Sequence, residues 1–341
     1  MLSSELNLLN VNRIDEMKLI EITKPGGPEV LKVSQGKIPE CGENEVLISV
    51  KAAGVNRPDI MQREGKYPMP EGVTPVPGLE VAGIVHAIGK NVTHFSVGDR
   101  VCALTNGGGY AEFCAVPVSQ VLPAPNNLSL TEAAALPETY FTVWANLFAL
   151  GKVKPGDVVL IHGAASGIGT TALALCSAMN IKLFGTIGSD EQVLALKKYG
   201  EMINFRTQNF EEEILGRTDG KGVDVILDIV GASYFNKNLH ILKKDGRLVL
   251  IGFMGGRVVK EFDIQELILK RALVTGSTMR SRNNAEKGEI AQQLIQNVWP
   301  LIESGKCKPV IHRVVKFEDV RTAHELLEAG NHIGKVILTL E

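Results

Sequence analysis

Two rhythms of apolar and polar positions divide the chain. From Lys18 to about Pro137 the sequence is rich in valine, glycine and proline, and β-type runs recur at Glu45–Ala52, Val81–Ile88, Arg100–Leu104 and Ala111–Val116. Turn residues such as Pro25-Gly26-Gly27 and Gly98-Asp99 separate them. Short runs punctuated in this way predict an all-β, barrel-like domain. From about Tyr140 the rhythm changes. Strands are predicted at Asp157–His162, Ile181–Thr186, Met202–Asn204, Val223–Ile229, Arg247–Ile251 and Leu273–Gly276, with helices at Gly167–Met179 and Asp190–Tyr199. This alternation predicts βαβ units and a doubly wound parallel sheet with helices on both faces. A long helix is expected near Ala285–Ser304. Strands then return at His312–Lys316 and Lys335–Leu340, around a helix at Val320–Ala329. They are expected to rejoin the first domain and make it discontinuous. The expected organisation is an extension over residues 1–16, a first β part over 17–139, a parallel-sheet domain over 140–300 and a return over 301–341.

Composition narrows the partners. A chain of 341 residues, 45% hydrophobic and 22% charged, has room for two domains with full cores. The net charge of −2 and the lack of a basic block argue against nucleic acid. Nothing approaches an apolar run of about 18 residues, so no membrane span is expected. Residues 1–16 lack both a charged n-region and an apolar core, so no secretory signal is expected. Five scattered cysteines (Cys41, Cys102, Cys114, Cys176, Cys307) fit reduced thiols of a cytoplasmic protein better than a disulfide framework.

The strongest local signal is Val158-Val-Leu-Ile-His-Gly-Ala-Ala-Ser-Gly-Ile-Gly169. An apolar strand enters a turn of small residues and continues into a helix. A tight turn, close approach of backbone to a pyrophosphate, and packing of helix on strand all need residues without bulk. The helix N-terminus adds free N–H groups for phosphate. Ala164 and Ser166 stand where a strict G-x-G-x-x-G would have glycines. Even so, the strand–turn–helix setting points to a dinucleotide, held by Ala164, Ser166, Gly167, Ile168 and Gly169.

Further motifs follow in order: Lys24-Pro-Gly-Gly-Pro-Glu-Val30, Gly54-Val-Asn-Arg-Pro-Asp-Ile-Met-Gln-Arg-Glu-Gly-Lys-Tyr-Pro68, Pro77-Gly-Leu-Glu-Val-Ala-Gly83, Val97-Gly-Asp-Arg-Val101, Gly107-Gly-Gly-Tyr-Ala-Glu112, Ala135-Leu-Pro-Glu-Thr-Tyr-Phe-Thr142, Gly252-Phe-Met-Gly-Gly256 and Asn331-His-Ile-Gly-Lys-Val336. With these motifs the chain resembles the zinc-free quinone oxidoreductase, or zeta-crystallin-like, branch of the medium-chain dehydrogenase/reductase superfamily, and within it the stress-inducible NADPH quinone reductase type. The resemblance covers Met17 to the C-terminus. It implies a GroES-like barrel on a Rossmann domain with the active cleft between them, and a homodimer or homotetramer. Zinc-dependent members carry a cysteine ligand and a Gly-His-Glu histidine. The corresponding positions here are Asn56 and Leu79, and the four-cysteine lobe is missing, so no metal is expected.

The resemblance assigns site residues. Asn56 and Tyr67 are expected beside the nicotinamide, with Tyr67 bonding an acceptor oxygen. Alternatively, Asn56 caps a helix start and Tyr67 anchors a turn. Gly252, Phe253 and Met254 are expected to line the nicotinamide pocket, with Thr142 and Lys335 nearby. At the adenosine end the tip of the second strand carries no acid. Ser189 and Arg206 are therefore expected around a 2′-phosphate, favouring NADPH. Phe205 is placed at the same site but stands where many relatives carry a tyrosine that touches the phosphate, and with Asp190 and Glu191 it cuts the other way and leaves NAD possible. Asp59 and Arg63 read as a pair or network holding a helix, His162 as a hydrogen-bonded core residue, Trp144 as hinge packing and Cys176 as inert. The implied activity is hydride transfer to a small quinone or enone acceptor, with the proton drawn from solvent. A 2-enoyl or alkenal reductase on the same fold is the alternative. A nucleotide-stabilised binding or structural protein, crystallin- or RNA-binding-like, is a reading of another class.

Overall fold

The computed structural model describes residues 16–67, 69 and 71–340. The expected extension lies outside these, except for Glu16, which opens the first strand. β1 (Glu16–Ile22) and β2 (Leu31–Lys37) form an antiparallel hairpin. Neither stands out in the sequence pattern, because charges at Lys18, Glu21, Lys32 and Lys37 break up their apolar positions. The first sheet is built from β3 (Glu45–Val55), β4 (Glu80–Ile88), β5 (Arg100–Leu104), β6 (Phe113–Pro117) and β7 (Val121–Pro123). Helix α1 (Arg57–Arg63) follows β3 directly, with Pro58 in its first turn, where a missing N–H costs nothing. Helices α2 (Leu130–Ala133) and α3 (Pro137–Val143) lead away from the sheet, and α3 continues into a π-type stretch over Trp144–Leu150.

The second sheet follows: β8 (Val158–His162), α4 (Gly167–Ala178), β9 (Lys182–Ile187), α5 (Asp190–Leu196), β10 (Glu201–Asn204), α6 (Phe210–Arg217), β11 (Val223–Asp228), α7 (Phe235–Ile241), β12 (Leu242–Leu250), α8 (Ile264–Lys270) and β13 (Leu273–Gly276). Its six strands are all parallel and lie in the order β10-β9-β8-β11-β12-β13. The order reverses between β8 and β11, and open α/β sheets bind ligands outside the carboxyl ends of strands at such a switch point. β12 begins at Leu242, earlier than its apolar run Arg247–Ile251 implies. The polar stretch Lys243-Lys244-Asp245-Gly246 hides the first half, where Asp245 takes φ +64°.

The expected single helix at Ala285–Ser304 is two, α9 (Asn284–Asn297) and α10 (Trp299–Glu303). Pro300 explains the break. It has no N–H, and its ring would strike the carbonyl one turn back, so it fits only a new first turn. The chain ends with β14 (Ile311–Lys316), α11 (Val320–Glu328) and β15 (Lys335–Thr339). β15 pairs antiparallel with β3 and parallel with β14, so the C-terminal segment completes the first sheet. One core fills the barrel (Ile48, Val81, Tyr110, Val336), and another joins both parts through Leu104, Leu122, Phe141 and Leu294.

Candidate active site

The glycine turn sits at the switch point. β8 ends at His162, and Gly163 turns at φ +66°. Ser166 caps α4, its Oγ accepting from the Gly169 N–H at 3.0 Å. A Cβ on Gly169 would stand 2.4 Å from Gly163 O and 2.5 Å from Ala164 Cα, and backbone atoms cannot step aside. The N–H groups of Gly167 and Ile168, in the first turn, have no intrahelical acceptor and stand at the positive end of the helix dipole. Ala164 is buried and donates its N–H to Thr186 O at 2.9 Å, so it ties the turn to β9. His162 is fully hydrogen-bonded, Nδ1 to Thr186 Oγ1 (2.9 Å) and Nε2 to Asn238 Oδ1 (2.7 Å). Burial pulls its pKa down to about 4, so at neutral pH it is an uncharged core residue.

At the tip of β9, a Cβ on Gly188 would lie 3.6 Å from the Phe205 ring and 3.7 Å from Arg206 Nε. These two side chains therefore flank the strand end. Among the described residues no carboxylate lies within 4 Å of the exposed Arg206 guanidinium. Ser189 caps α5 by accepting from the Gln192 N–H. Asp190 is exposed but held sideways, accepting from Asn204 Nδ2 at 2.8 Å.

The loop after β12 is zipped to the loop after β11. The Met254 N–H donates to Ile229 O (3.2 Å), Gly255 N–H to Val230 O (2.7 Å) and Ala232 N–H to Gly256 O (2.9 Å). This fixes Gly252 and leaves Phe253 and Met254 exposed, at 59% and 72%, beyond the strand ends. Thr142 is buried, and its Oγ1 has no hydrogen-bond partner among the described residues. A buried hydroxyl without a partner is costly unless a ligand satisfies it.

Where the two parts meet, a polar network links three side chains and one backbone N–H. Lys335 Nζ lies 2.6 Å from Glu80 Oε1 and donates to Asn56 Oδ1 at 2.5 Å. Asn56 Nδ2 donates to Glu80 Oε1 at 2.9 Å, and Glu80 Oε2 accepts from the Glu138 N–H at 2.8 Å. Asn56 and Lys335 thus come together, but the Lys335 amine is held by Glu80. Only its stem reaches the glycine turn, where a Cβ on Gly167 would meet Lys335 Cδ at 2.6 Å. Burial raises the Glu138 carboxyl to about 7, with Glu80 and Asp59 adding to the rise and Lys335 opposing it. Asp59 is raised to about 6, again by burial first, although it accepts from the N–H groups of Asn56 and Gly78 and from the Tyr110 hydroxyl. Asn56 does sit at the start of α1. Asp59 and Arg63 do not pair with each other: Arg63 is bound to Glu328 on α11, to Gly26 O and to His324.

Tyr67 is half-buried beneath a guanidinium, with Arg280 Cζ 4.9 Å from its ring centroid. Burial raises the Tyr67 phenol, Arg280 opposes the rise, and Glu138 and Asp59 add to it, so all four groups share one electrostatic neighbourhood. Arg280 follows β13 yet donates from Nη2 to Asn106 O (2.7 Å) on the barrel side, so it spans the cleft. Sequence reasoning missed Glu80, Glu138 and Arg280. Glu80 was legible as the acid of Gly78-Leu79-Glu80, whereas Arg280 sits in a polar loop that no spacing rule singles out.

Comparison with known proteins gives the family. Residues 42–126 match the family model described as alcohol dehydrogenase GroES-like domain, and residues 199–338 match zinc-binding dehydrogenase. The quinone oxidoreductase of Sus scrofa is 35% identical over 329 residues, 95% of this chain and 98% of that one. The chain belongs to the quinone oxidoreductase family of the medium-chain dehydrogenase/reductase superfamily. Among solved members, a mycobacterial protein complexed with NADPH is 30% identical with TM-score 0.84, covering 95% of this chain and 99% of that one. The CurK enoyl reductase is 28% identical with TM-score 0.82, covering 95% and 99%.

The superfamily includes zinc enzymes, and the residues present here do not fit that ion. Leu79 has no donor atom, and both polar atoms of Asn56 are engaged by Glu80 and Lys335. Among the described residues no group of three or more His, Cys, Asp and Glu side chains is arranged to hold a metal. A dinucleotide does fit: the turn closes on backbone atoms at Gly169, and Thr142 waits with an unpartnered hydroxyl.

Proposed function

We propose that this medium-chain reductase is an NADPH-dependent quinone oxidoreductase that works without metal. The observation that carries the reading is the pairing of a dinucleotide turn with zinc-ligand positions filled by a leucine and a hydrogen-bonded amide. With no Lewis acid to polarise an alcohol, the acceptors that suit the site take a hydride readily. Bound nicotinamide supplies that hydride, and the protein supplies position and dryness. Gly167 and Ile168 N–H groups hold the pyrophosphate, and Gly169 lets the backbone approach it. Thr142, Gly252, Phe253 and Met254 frame the nicotinamide. Lys335 and Asn56 keep the barrel strand against the turn, and the Tyr67 hydroxyl orients the acceptor oxygen. The product takes its proton from solvent. Arg206, flanked by Phe205 and free of a carboxylate partner, favours a 2′-phosphate, while Asp190 is occupied by Asn204; both support NADPH over NADH. Unpaired cysteines fit a cytoplasmic location, and no described helix is long and apolar enough to cross a membrane.

The likeness to the CurK enoyl reductase favours an enoyl or alkenal reductase as the second reading. Steady-state efficiencies with ortho- and para-quinones, set against enoyl thioesters, separate the two. Quinone turnover is expected to dominate, with NADPH preferred at low salt and no stoichiometric zinc by elemental analysis. Faster turnover of enoyl thioesters, an NADH preference of about tenfold, or activity lost with a removed metal each rejects the corresponding part.

A further inference from the structure

The acceptor end of the cleft contains two buried cations, and among the described residues no carboxylate is in contact with either; Asp59 acts on Arg280 only through space. Arg280 is 9% exposed and Lys287, on α9, is 1% exposed. Among the described residues neither has a carboxylate within 4 Å. Their partners are neutral: Arg280 Nη2 donates to Asn106 O (2.7 Å), Gln62 Oε1 (3.4 Å) and Met69 Sδ (3.3 Å), and Lys287 Nζ donates to Asn106 Oδ1 (2.5 Å) and Arg280 O (3.4 Å). These bonds fix the guanidinium over the Tyr67 ring. They leave Arg280 Nε and Nη1 buried without any acceptor. A buried charge is tolerated when it is paired and hydrogen-bonded, and an unpaired one is costly. Lys287 adds to that strain, since its ammonium is pulled down to about 8 by burial and by Arg280 itself. A protein that keeps two such cations beside its acceptor pocket has the pocket half of an ion pair.

We infer that the cleft is a carboxylate-binding site, and that the acceptor carries a carboxylate which bonds to the free donors of Arg280 within the combined field of Arg280 and Lys287. The planar fork of a guanidinium matches a planar carboxylate, and the Tyr67 face below it suits an apolar or aromatic ring joined to that group. This rests on the reading of the cleft as the acceptor site and narrows the acceptor's class. A ground-state anion, rather than charge appearing only during hydride transfer, is the better match, because neither cation has a carboxylate in contact in the resting protein.

The test uses isosteric, non-reducible probes. Benzoate and benzamide are titrated against the NADPH-loaded protein by quenching of nicotinamide fluorescence. Benzoate is expected to bind at least about tenfold more tightly than benzamide, and to weaken as salt rises. Arg280→Gln is expected to remove that preference, and Arg280→Lys to restore part of it. Equal binding of the two probes by the wild-type protein overturns the inference without need of any variant. So does a benzoate preference that survives in folded Arg280→Gln. Turnover of a neutral naphthoquinone and of its carboxylate-bearing analogue by the wild-type protein is measured in parallel. A benzoate preference with neither quinone turned over sinks the reductase reading and leaves the anion site. Quinone turnover without a benzoate preference sinks the anion site alone.

Discussion

Gly169 shows how one position ties sequence to function. Its missing Cβ is required by backbone atoms of the turn at 2.4 and 2.5 Å, so a branched side chain forces the turn itself to move. Gly169→Val is expected to weaken NADPH binding by at least ~2 kcal/mol, read by fluorescence titration. Unchanged affinity in a folded variant would remove the turn from the cofactor site. Glu138 makes a prediction about pH. Its folded pKa of about 7 lies above the ordinary 4.5, so between those values the folded state holds more protons than the unfolded one. Stability from this group is therefore lost as pH rises through that window. Burial sets most of the shift; Lys335 opposes it and Glu80 and Asp59 add to it, with Tyr67 in the same cluster. Glu138→Gln is expected to raise Tm relative to wild type more at pH 8 than at pH 5. An equal change at both pH values would show that the carboxyl titrates normally.

At the scale of elements, the site depends on α1 being held at both ends. Asp59 anchors its first turn to the Gly78 N–H, and Arg63 anchors its last turn to α11. Arg63 is 1% exposed and Glu328 28% exposed, with paired contacts at 2.7 and 3.1 Å. Removing the acid strands a buried guanidinium. Partial exposure of Glu328 and the nearby Glu64 at 3.7 Å reduce the penalty for a broken buried pair to about 2 kcal/mol. Glu328→Ala is expected to lower the unfolding free energy by that amount, seen as a lower urea midpoint with the slope unchanged. A loss within about 0.5 kcal/mol, typical of surface positions, would mean that α11 does not hold α1.

At the scale of the whole molecule, β13 is an edge strand with open backbone groups; its Leu273 and the nearby Ile268 and Leu269 of α8 are 52%, 66% and 66% exposed. An exposed apolar edge of this kind invites pairing with another copy. The protein is expected to run as a dimer in light scattering, and the double variant Ile268→Glu with Leu269→Glu to shift it towards monomer. A wild-type monomer at micromolar concentration would leave the edge without that role.

The sequence alone determined the two sheets and the dinucleotide turn, because each rests on local rules. Short apolar strands such as Arg100–Leu104 and Val158–His162 carry their own pattern, and Gly163 to Gly169 owe their conformation to residues within the same turn. Elements whose pattern is broken by charge or a cryptic turn were not legible: the β1–β2 hairpin, the early start of β12 and the break at Pro300 between α9 and α10. The cleft was decided by tertiary structure. Asn56, Glu80, Glu138 and Lys335 come from four separate elements, and their ionisation depends on desolvation and on mutual distances that no spacing encodes. Arg280 and Lys287 read as ordinary loop and helix charges. Only the closing of the barrel over the end of β13 buries them together with no carboxylate in contact.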